Sequence, residues 1–151
     1  MTVYVDSSAL LARHLAGPAR QAILAAMDED DQWCTSAMSL TEAIAAIDRI
    51  VEGELLRQDF EDLVRRDVER MYIVPVDQRC LDRAARLARD QPVHLVDALH
   101  LAAADRLPRP LVYLTVDAAQ IRSRALARLR RPPQLTPRWR CVERTQGSTH
   151  R

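Results

Sequence analysis

The chain alternates short continuous apolar runs with longer stretches in which apolar residues recur every three or four positions. Four short runs bounded by turn residues predict buried β-strands, at 2–5, 32–35, 71–74 and 111–116. The helical spacing is clearest at Leu40, Ile44, Ile47 and Val51. A helix through these positions is predicted to end at Gly53, and further helices are predicted over 7–14, 18–27, 55–70, 77–90, 94–106 and 118–130.

Predicted strands and helices thus follow one another along the whole chain. This alternation is typical of a parallel sheet with helices on its faces, a three-layer α/β fold. We predict one domain over residues 1–133, which a pair of prolines closes, and a C-terminal segment over 134–151. That segment contains a predicted edge strand from Trp139 to Val142 and a polar tail over 145–151.

Composition excludes several classes of protein. A chain of 151 residues with 48% apolar residues can bury a core and does not have the composition of a disordered protein. No apolar run approaches the ~20 residues of a membrane span, and no charged-then-apolar leader opens the chain. Its three cysteines are widely spaced and form no metal or redox motif. We therefore expect a cytoplasmic, reduced setting with no membrane contact.

The net charge of +1 conceals an uneven distribution. Residues 1–117 contain 13 arginines and 20 acidic residues, whereas residues 118–151 contain nine arginines and Glu143 as their only acid. All 22 basic residues are arginines, and the chain has no lysine. A basic segment after an acidic body is compatible with a phosphate-rich partner. A solvated basic helix with a loose tail explains the same pattern.

Four acidic residues stand where carboxylates can converge. Asp6 follows the first predicted strand and Asp117 follows the last long one, and ligands bind at that carboxyl edge in open α/β sheets. Glu42 has no opposite charge three or four residues away, and Asp97 is the only charge in a long helical run. Carboxylates gathered without arginines repel one another, which a divalent cation bound through oxygen resolves.

Each of these residues also has a purely structural interpretation. Asp6 and Asp117 can cap the helices that follow them, a role compatible with ligand binding because a capping aspartate keeps a second oxygen. Glu42 can be an ordinary glutamate at the domain edge, and Asp97 can interact with the helix dipole. His100 lies one turn after Asp97, where an Asp-x-x-His metal pair is conceivable and a satisfied core histidine is more common.

Four segments resemble a known family. They are Val3-Tyr4-Val5-Asp6-Ser7-Ser8, Ser39-Leu40-Thr41-Glu42-Ala43, Asp97-Ala98-Leu99-His100-Leu101-Ala102-Ala103-Ala104 and Leu114-Thr115-Val116-Asp117. In this order and spacing they are similar to the motifs of the PIN-domain family, and more narrowly to VapC-type toxins of VapBC toxin–antitoxin systems. The resemblance covers residues 1 to about 131. Each segment alone is weak evidence, but the four in series are specific.

The resemblance implies a PIN-like three-layer α/β fold and a metal-dependent ribonuclease that hydrolyses RNA phosphodiester bonds to leave a 5′-phosphate. It also implies a cognate antitoxin protein and a homodimer. Carried over position by position, it makes Asp6, Glu42, Asp97 and Asp117 the catalytic and metal-binding residues. Oxygen-only ligands suit Mg²⁺ or Mn²⁺ rather than zinc, which agrees with this expectation.

Four further residues are predicted to contact the RNA substrate. Ser7 and Thr115 flank the acids, and their hydroxyls can orient a carboxylate or a water. Arg122 and Arg124 belong to the basic helix predicted after Asp117, and arginine forks can grip phosphates. An acidic surface on a second subunit or on the antitoxin is the competing partner for this helix.

Two other functions compete with the ribonuclease. Receiver domains and haloacid-dehalogenase-like phosphatases also place aspartates at strand ends, but their sites generally include a lysine, and the phosphatases have Asp-x-Asp after the first strand. This chain has no lysine, and its first strand is followed by Asp6-Ser7-Ser8. The stronger alternative is a non-catalytic PIN-like module that binds RNA or acts as a scaffold. Loss of acidic residues would mark such a module, and all four are present.

Overall fold

The structure, a computed structural model, describes residues 2–117 and residue 120. Within these residues the strands are β1 (Thr2–Val5), β2 (Gln32–Ser36), β3 (Tyr72–Val74) and β4 (Leu111–Leu114). The helices are α1 (Ser7–Ala12), α2 (Pro18–Asp28), α3 (Ser39–Ile50), α4 (Glu54–Val68), α5 (Gln78–Asp90) and α6 (Leu95–Ala104). The helix predicted over 118–130, the edge strand from Trp139 to Val142 and the tail lie outside the described residues.

The strands of the described region form one parallel sheet in the order β3-β2-β1-β4. Two helices connect each strand to the next one along the chain. Strands β2 and β3 are therefore added in turn on one side of β1, and β4 pairs with β1 on its other side. Open α/β sheets form a ligand crevice where the strand order reverses in this way. Here that place is the carboxyl edge between β1 and β4.

Side chains of β1 alternate between the two faces of the sheet, and each face has its own core. Val3 and Val5 pack in a cluster with residues of α1, α2, α3 and α4. Tyr4 belongs to a second cluster with residues of α5 and α6. The predicted three-layer α/β fold with a central parallel sheet is thus confirmed. No helix of the described region combines the length and the apolar character needed to cross a membrane.

Among the element boundaries that differ from their predictions, two have clear local reasons. Gly53 was predicted to end α3, but that helix ends at Ile50, and Gly53 instead precedes α4 with a φ of 92°. Glycine adopts such a positive φ without a steric penalty. Strand β4 was predicted to reach Val116 but ends at Leu114. The backbone N–H of Val116 donates to the Ser8 hydroxyl instead of continuing the strand ladder.

Candidate active site

Asp6 lies directly after β1 and is fully buried. Its Oδ1 accepts hydrogen bonds from the backbone N–H of Ala9 and from the Ser8 hydroxyl, both at 2.8 Å, so it caps α1. Its Oδ2 is also buried and accepts no hydrogen bond of good geometry from the described residues. The capping role is therefore confirmed, and it leaves one carboxylate oxygen free for a ligand.

The environment of Asp6 disfavours its charged form. Burial raises the pKa of Asp6, and the nearby His100, the hydrogen bonds from Ala9 and Ser8 and the neighbouring Thr115 hydroxyl offset this only in part. Desolvation of an ion without enough compensating partners is the physical cause. A cation bound at Oδ2 would supply the missing compensation.

Ser8 joins the carboxyl ends of β1 and β4. Its hydroxyl donates to Asp6, accepts from the backbone N–H of Val116 at 3.0 Å and lies 3.3 Å from the Thr115 hydroxyl. Thr115 in turn accepts from the backbone N–H of Asp117 at 3.0 Å. The two predicted strand-end aspartates are therefore connected through a short chain of hydroxyl groups.

Glu42 reaches the site from the first turn of α3 and meets His100 of α6. The Glu42 Oε2 lies 2.7 Å from the His100 Nε2, and the His100 Nδ1 lies 2.8 Å from the Tyr4 hydroxyl. Burial alone raises the pKa of Glu42, but hydrogen bonds from His100 and Ser7 outweigh it and hold the pKa below its usual value. His100 is fully buried with both ring nitrogens in hydrogen bonds, as expected for a satisfied core histidine.

Asp97 lies in the first turn of α6 and accepts a hydrogen bond from Gln120. The Gln120 Nε2 donates to the Asp97 Oδ1 at 2.9 Å, and the backbone N–H of Gln120 donates to the Asp117 Oδ1 at 3.1 Å. The Gln120 Oε1 accepts from the Tyr113 hydroxyl at 2.7 Å. One buried residue thus contacts two of the four predicted acids.

Three of the four acids lie close enough to one buried tyrosine for their charges to act on it. Burial raises the pKa of Tyr113 well above its usual value, and the charges of Asp6, Asp97 and Glu42 raise it further. The fold therefore brings into one neighbourhood acids that lie far apart in the sequence. No arginine of the described region forms a salt bridge with any of these three.

The acids do not surround a single point as they stand. Across residues 2–117 and 120, no three histidine, cysteine, aspartate or glutamate side chains are arranged to hold one metal ion. Mg²⁺ usually keeps several waters and binds directly to one or two carboxylates, so a protein can hold it without three direct ligands. The free oxygen of Asp6 and an all-oxygen donor set fit such an ion. The metal-binding role of the quartet stays a prediction.

The residues predicted to contact substrate have different positions. Ser7 and Thr115 are buried beside the carboxylates, where they stabilise Glu42 and Asp6, and their contact with substrate stays a prediction. Arg122 and Arg124 lie outside the described residues. The Asp117 Oδ1 accepts a hydrogen bond from the backbone N–H of Gln120, three residues later, which is the spacing of a capping contact.

Sequence reasoning missed Tyr4, Tyr113 and Gln120 as parts of this site. Each tyrosine sits inside an apolar strand run, so the core explained both. One signal was available, because residues two apart on a strand share a face. Tyr4 stands two residues before Asp6, and Tyr113 stands two residues before Thr115.

A cavity of about 580 Å³ opens at the opposite edge of the sheet. It lies beside Thr2, Gln32 and Tyr72, the first residues of β1, β2 and β3. Ligands of open parallel sheets bind at the carboxyl edge, and the acids described above are at that edge. We therefore place the candidate active site on the carboxylates and not in the cavity.

Comparison with known sequences gives the family. The sequence profile of the PIN domain matches residues 3–125. The chain belongs to the PIN-domain family. All four acids of this PIN domain lie within the matched segment, and the resemblance seen in the sequence is confirmed at the family level. None of the curated proteins is similar enough to this PIN domain to match it.

Solved structures share the fold at low sequence identity. A toxin–antitoxin complex from Klebsiella pneumoniae matches with 17% identity and a TM-score of 0.62, over 81% of the present chain and 91% of that chain. FitAcB from Neisseria gonorrhoeae matches with 13% identity and a TM-score of 0.63, over 79% of the present chain and 90% of the FitAcB chain. DNA-bound VapBC from Salmonella typhimurium matches with 18% identity and a TM-score of 0.55, over 92% and 98%.

Proposed function

We propose that this PIN domain is a VapC-type toxin of a type II toxin–antitoxin system and that it hydrolyses RNA phosphodiester bonds with Mg²⁺ or Mn²⁺. The observation that carries the proposal is the buried Oδ2 of Asp6, which has no hydrogen bond of good geometry within the described region. It lies in the same neighbourhood as Glu42 and Asp97, and none of the arginines that the structure describes forms a salt bridge with any of the three. A buried acid in such surroundings is a recurring property of catalytic sites.

The four acids would hold the cation, and other residues of the chain hold the acids. Divalent-cation chemistry supplies a more acidic water and neutralises charge on the phosphodiester. Ala9 and Ser8 fix the orientation of Asp6 by binding its other oxygen. Open α/β sheets bind ligands at the carboxyl edge where the strand order reverses, so we assign the RNA strand to the edge between β1 and β4.

Support for a protein partner comes from the fold neighbours and from the surface. The neighbours from Klebsiella pneumoniae and Salmonella typhimurium are described as a toxin–antitoxin complex and as DNA-bound VapBC. In this chain, three exposed apolar residues lie at the end of α3 and the start of α4, namely Ile50, Leu55 and Leu56. Exposed apolar groups in one region mark surfaces that another protein covers. We assign this region to contact with a cognate antitoxin or with a second copy in a homodimer.

RNA cleavage tests the proposal. Metal-stripped full-length protein is expected to cleave cellular RNA when Mg²⁺ or Mn²⁺ is added, to leave 5′-phosphate ends and to stop when EDTA is in excess. Cleavage that continues undiminished in EDTA would contradict a metal-dependent mechanism. RNA binding without cleavage under every metal condition would favour the non-catalytic alternative.

Salt dependence tests the assignment of Arg122 and Arg124 to RNA. Each phosphate that an arginine neutralises contributes about −0.7 to the slope of log affinity against log salt for a single strand. Replacing both arginines with Gln is expected to weaken RNA binding and to reduce the slope by up to about 1.4. If RNA affinity and slope stay unchanged while dimer or antitoxin binding falls, this segment belongs to a protein interface.

A further inference from the structure

Two stacked tyrosines lie beneath the carboxylates. Tyr4 of β1 and Tyr113 of β4 are partners in the strand register. Their ring centroids are 5.0 Å apart with an interplanar angle of 20°, and both side chains are almost completely buried. A buried tyrosine hydroxyl usually finds a hydrogen-bond partner. Here each hydroxyl bonds to a polar side chain that in turn bonds to an acid.

The first connection runs from Tyr4 through His100 to Glu42. An ionised carboxylate only accepts hydrogen bonds, so the proton between Glu42 and His100 belongs to the Nε2 of the ring. In the neutral ring the Nδ1 then accepts from the Tyr4 hydroxyl at 2.8 Å. The Glu42 carboxylate therefore fixes the form of His100 that donates to it at 2.7 Å, and the Tyr4 hydroxyl holds the ring by bonding to its other nitrogen.

The second connection runs from Tyr113 through Gln120 to Asp97. The Tyr113 hydroxyl donates to the amide oxygen of Gln120 at 2.7 Å. This contact turns the amide nitrogen of Gln120 toward the Asp97 Oδ1, 2.9 Å away. Gln120 is only 3% exposed, so water does not compete for the amide.

We propose that His100 and Gln120 are positioning residues that the stacked Tyr4–Tyr113 pair holds in place, and that they fix the Glu42 and Asp97 carboxylates for binding a divalent cation. This inference rests on the proposed function. It assigns roles to buried polar side chains that do not themselves face the RNA. Partners of metal-binding groups orient them, and their loss typically weakens metal affinity or activity 10–100-fold.

Two substitutions of His100 separate its two contacts. A Gln places its amide near the Nε2 position and can still donate to Glu42, whereas an Asn places its amide near the Nδ1 position and reaches only Tyr4. The readout is the Kd for Mn²⁺ of metal-stripped full-length protein, measured by isothermal titration calorimetry. His100→Asn is expected to weaken Mn²⁺ binding at least ~10-fold, and His100→Gln less than ~3-fold.

A double substitution tests the second connection without leaving a buried group unpaired. Tyr113→Phe with Gln120→Met replaces both polar partners by apolar groups of similar shape, which can be nearly neutral for folding stability. Mn²⁺ binding is again expected to weaken about 10-fold. His14→Asn is the matched control, because the His14 Nε2 lies 2.6 Å from the Asp67 Oδ2 in a partly buried pair that joins the turn after α1 to α4. It is expected to lower the melting temperature and to leave the Mn²⁺ Kd unchanged.

The outcomes separate this inference from the function on which it rests. Wild-type protein that neither binds Mn²⁺ nor cleaves RNA overturns the proposed function together with the inference. Wild-type protein that binds Mn²⁺, with variants that melt earlier but bind Mn²⁺ equally well, overturns the inference alone. If His100→Asn does not fold, the double variant decides in the same way.

Discussion

Replacing Asp97 with Asn is expected to abolish metal-dependent RNA cleavage while leaving the fold intact. Asn has the same shape, and its side-chain oxygen can still accept from the Gln120 amide. The charge at the start of α6 contributes only about 0.3–1 kcal/mol to helix stability. The substitution therefore removes a proposed ligand of the cation with little effect on packing.

The loss of cleavage in Asp97→Asn should exceed the loss caused by replacing any positioning residue. Loss of a residue that orients a metal ligand typically lowers metal affinity or activity 10–100-fold. Removal of a direct ligand is therefore expected to reduce the cleavage rate by more than ~100-fold. The rate at saturating Mn²⁺ is the quantity to measure, with circular dichroism to verify the fold. Asp90→Asn, the same chemical change at the exposed end of α5, is the control and should cleave at the wild-type rate. Substantial cleavage by Asp97→Asn would remove Asp97 from the catalytic set.

Replacing Asp6 with Asn is expected to raise the melting temperature in EDTA at pH 8. Because burial raises the pKa of Asp6, the folded state binds its proton more tightly than the unfolded state does. The resulting stability is fully present below the unfolded pKa of about 3.9 and is lost as the pH rises through the folded pKa. Asn carries no charge and still accepts from Ala9 and Ser8 as a helix cap.

Melting curves from pH 4 to pH 8 test this expectation. The melting temperature of the wild type should fall relative to that of Asp6→Asn as the pH rises. Each kcal/mol of unfolding free energy that is lost lowers the melting temperature by about 2–4 °C in a chain of this size. Added Mn²⁺ should stabilise the wild type more than the variant by mass action.

Asp67→Asn provides the contrast for that experiment. Asp67 is also buried, but it pairs with His14 at 2.6 Å and with Arg13 at 3.4 Å. Removing one partner of a buried pair is destabilising, so this variant should melt earlier than the wild type. Equal melting of wild type and Asp6→Asn in EDTA at every pH would show that the Asp6 charge is compensated within the protein.

Local sequence signals predicted most of the fold because each element carries its own pattern. Strand β1 and helix α2 lie within one residue of their predicted bounds, since a continuous apolar run defines the first and Pro18 begins the second. The helix predicted over 94–106 is shorter, ending at Ala104, because Arg106 bonds to Ala103 in a tighter turn. Such ends depend on single hydrogen bonds that the apolar pattern does not encode.

The acids of the site were predictable, but most of their partners were not. Asp6 and Asp117 stand out as polar residues directly after buried strands, a signal contained in a few neighbouring residues. The contact of Tyr4 with His100 joins positions 96 residues apart. It depends on which face of β1 meets α6, and this follows from the strand register and helix packing of the whole domain.

Anomalous diffraction from crystals grown with Mn²⁺ shows whether the acids of the site bind a divalent cation. The four carboxylates are claimed to hold a divalent cation, with the unpaired Oδ2 of Asp6 among its ligands. We expect a Mn²⁺ anomalous peak in contact with this oxygen at the carboxyl edge between β1 and β4. An ordered site without such a peak, in which a protein donor occupies the Asp6 Oδ2, would contradict it.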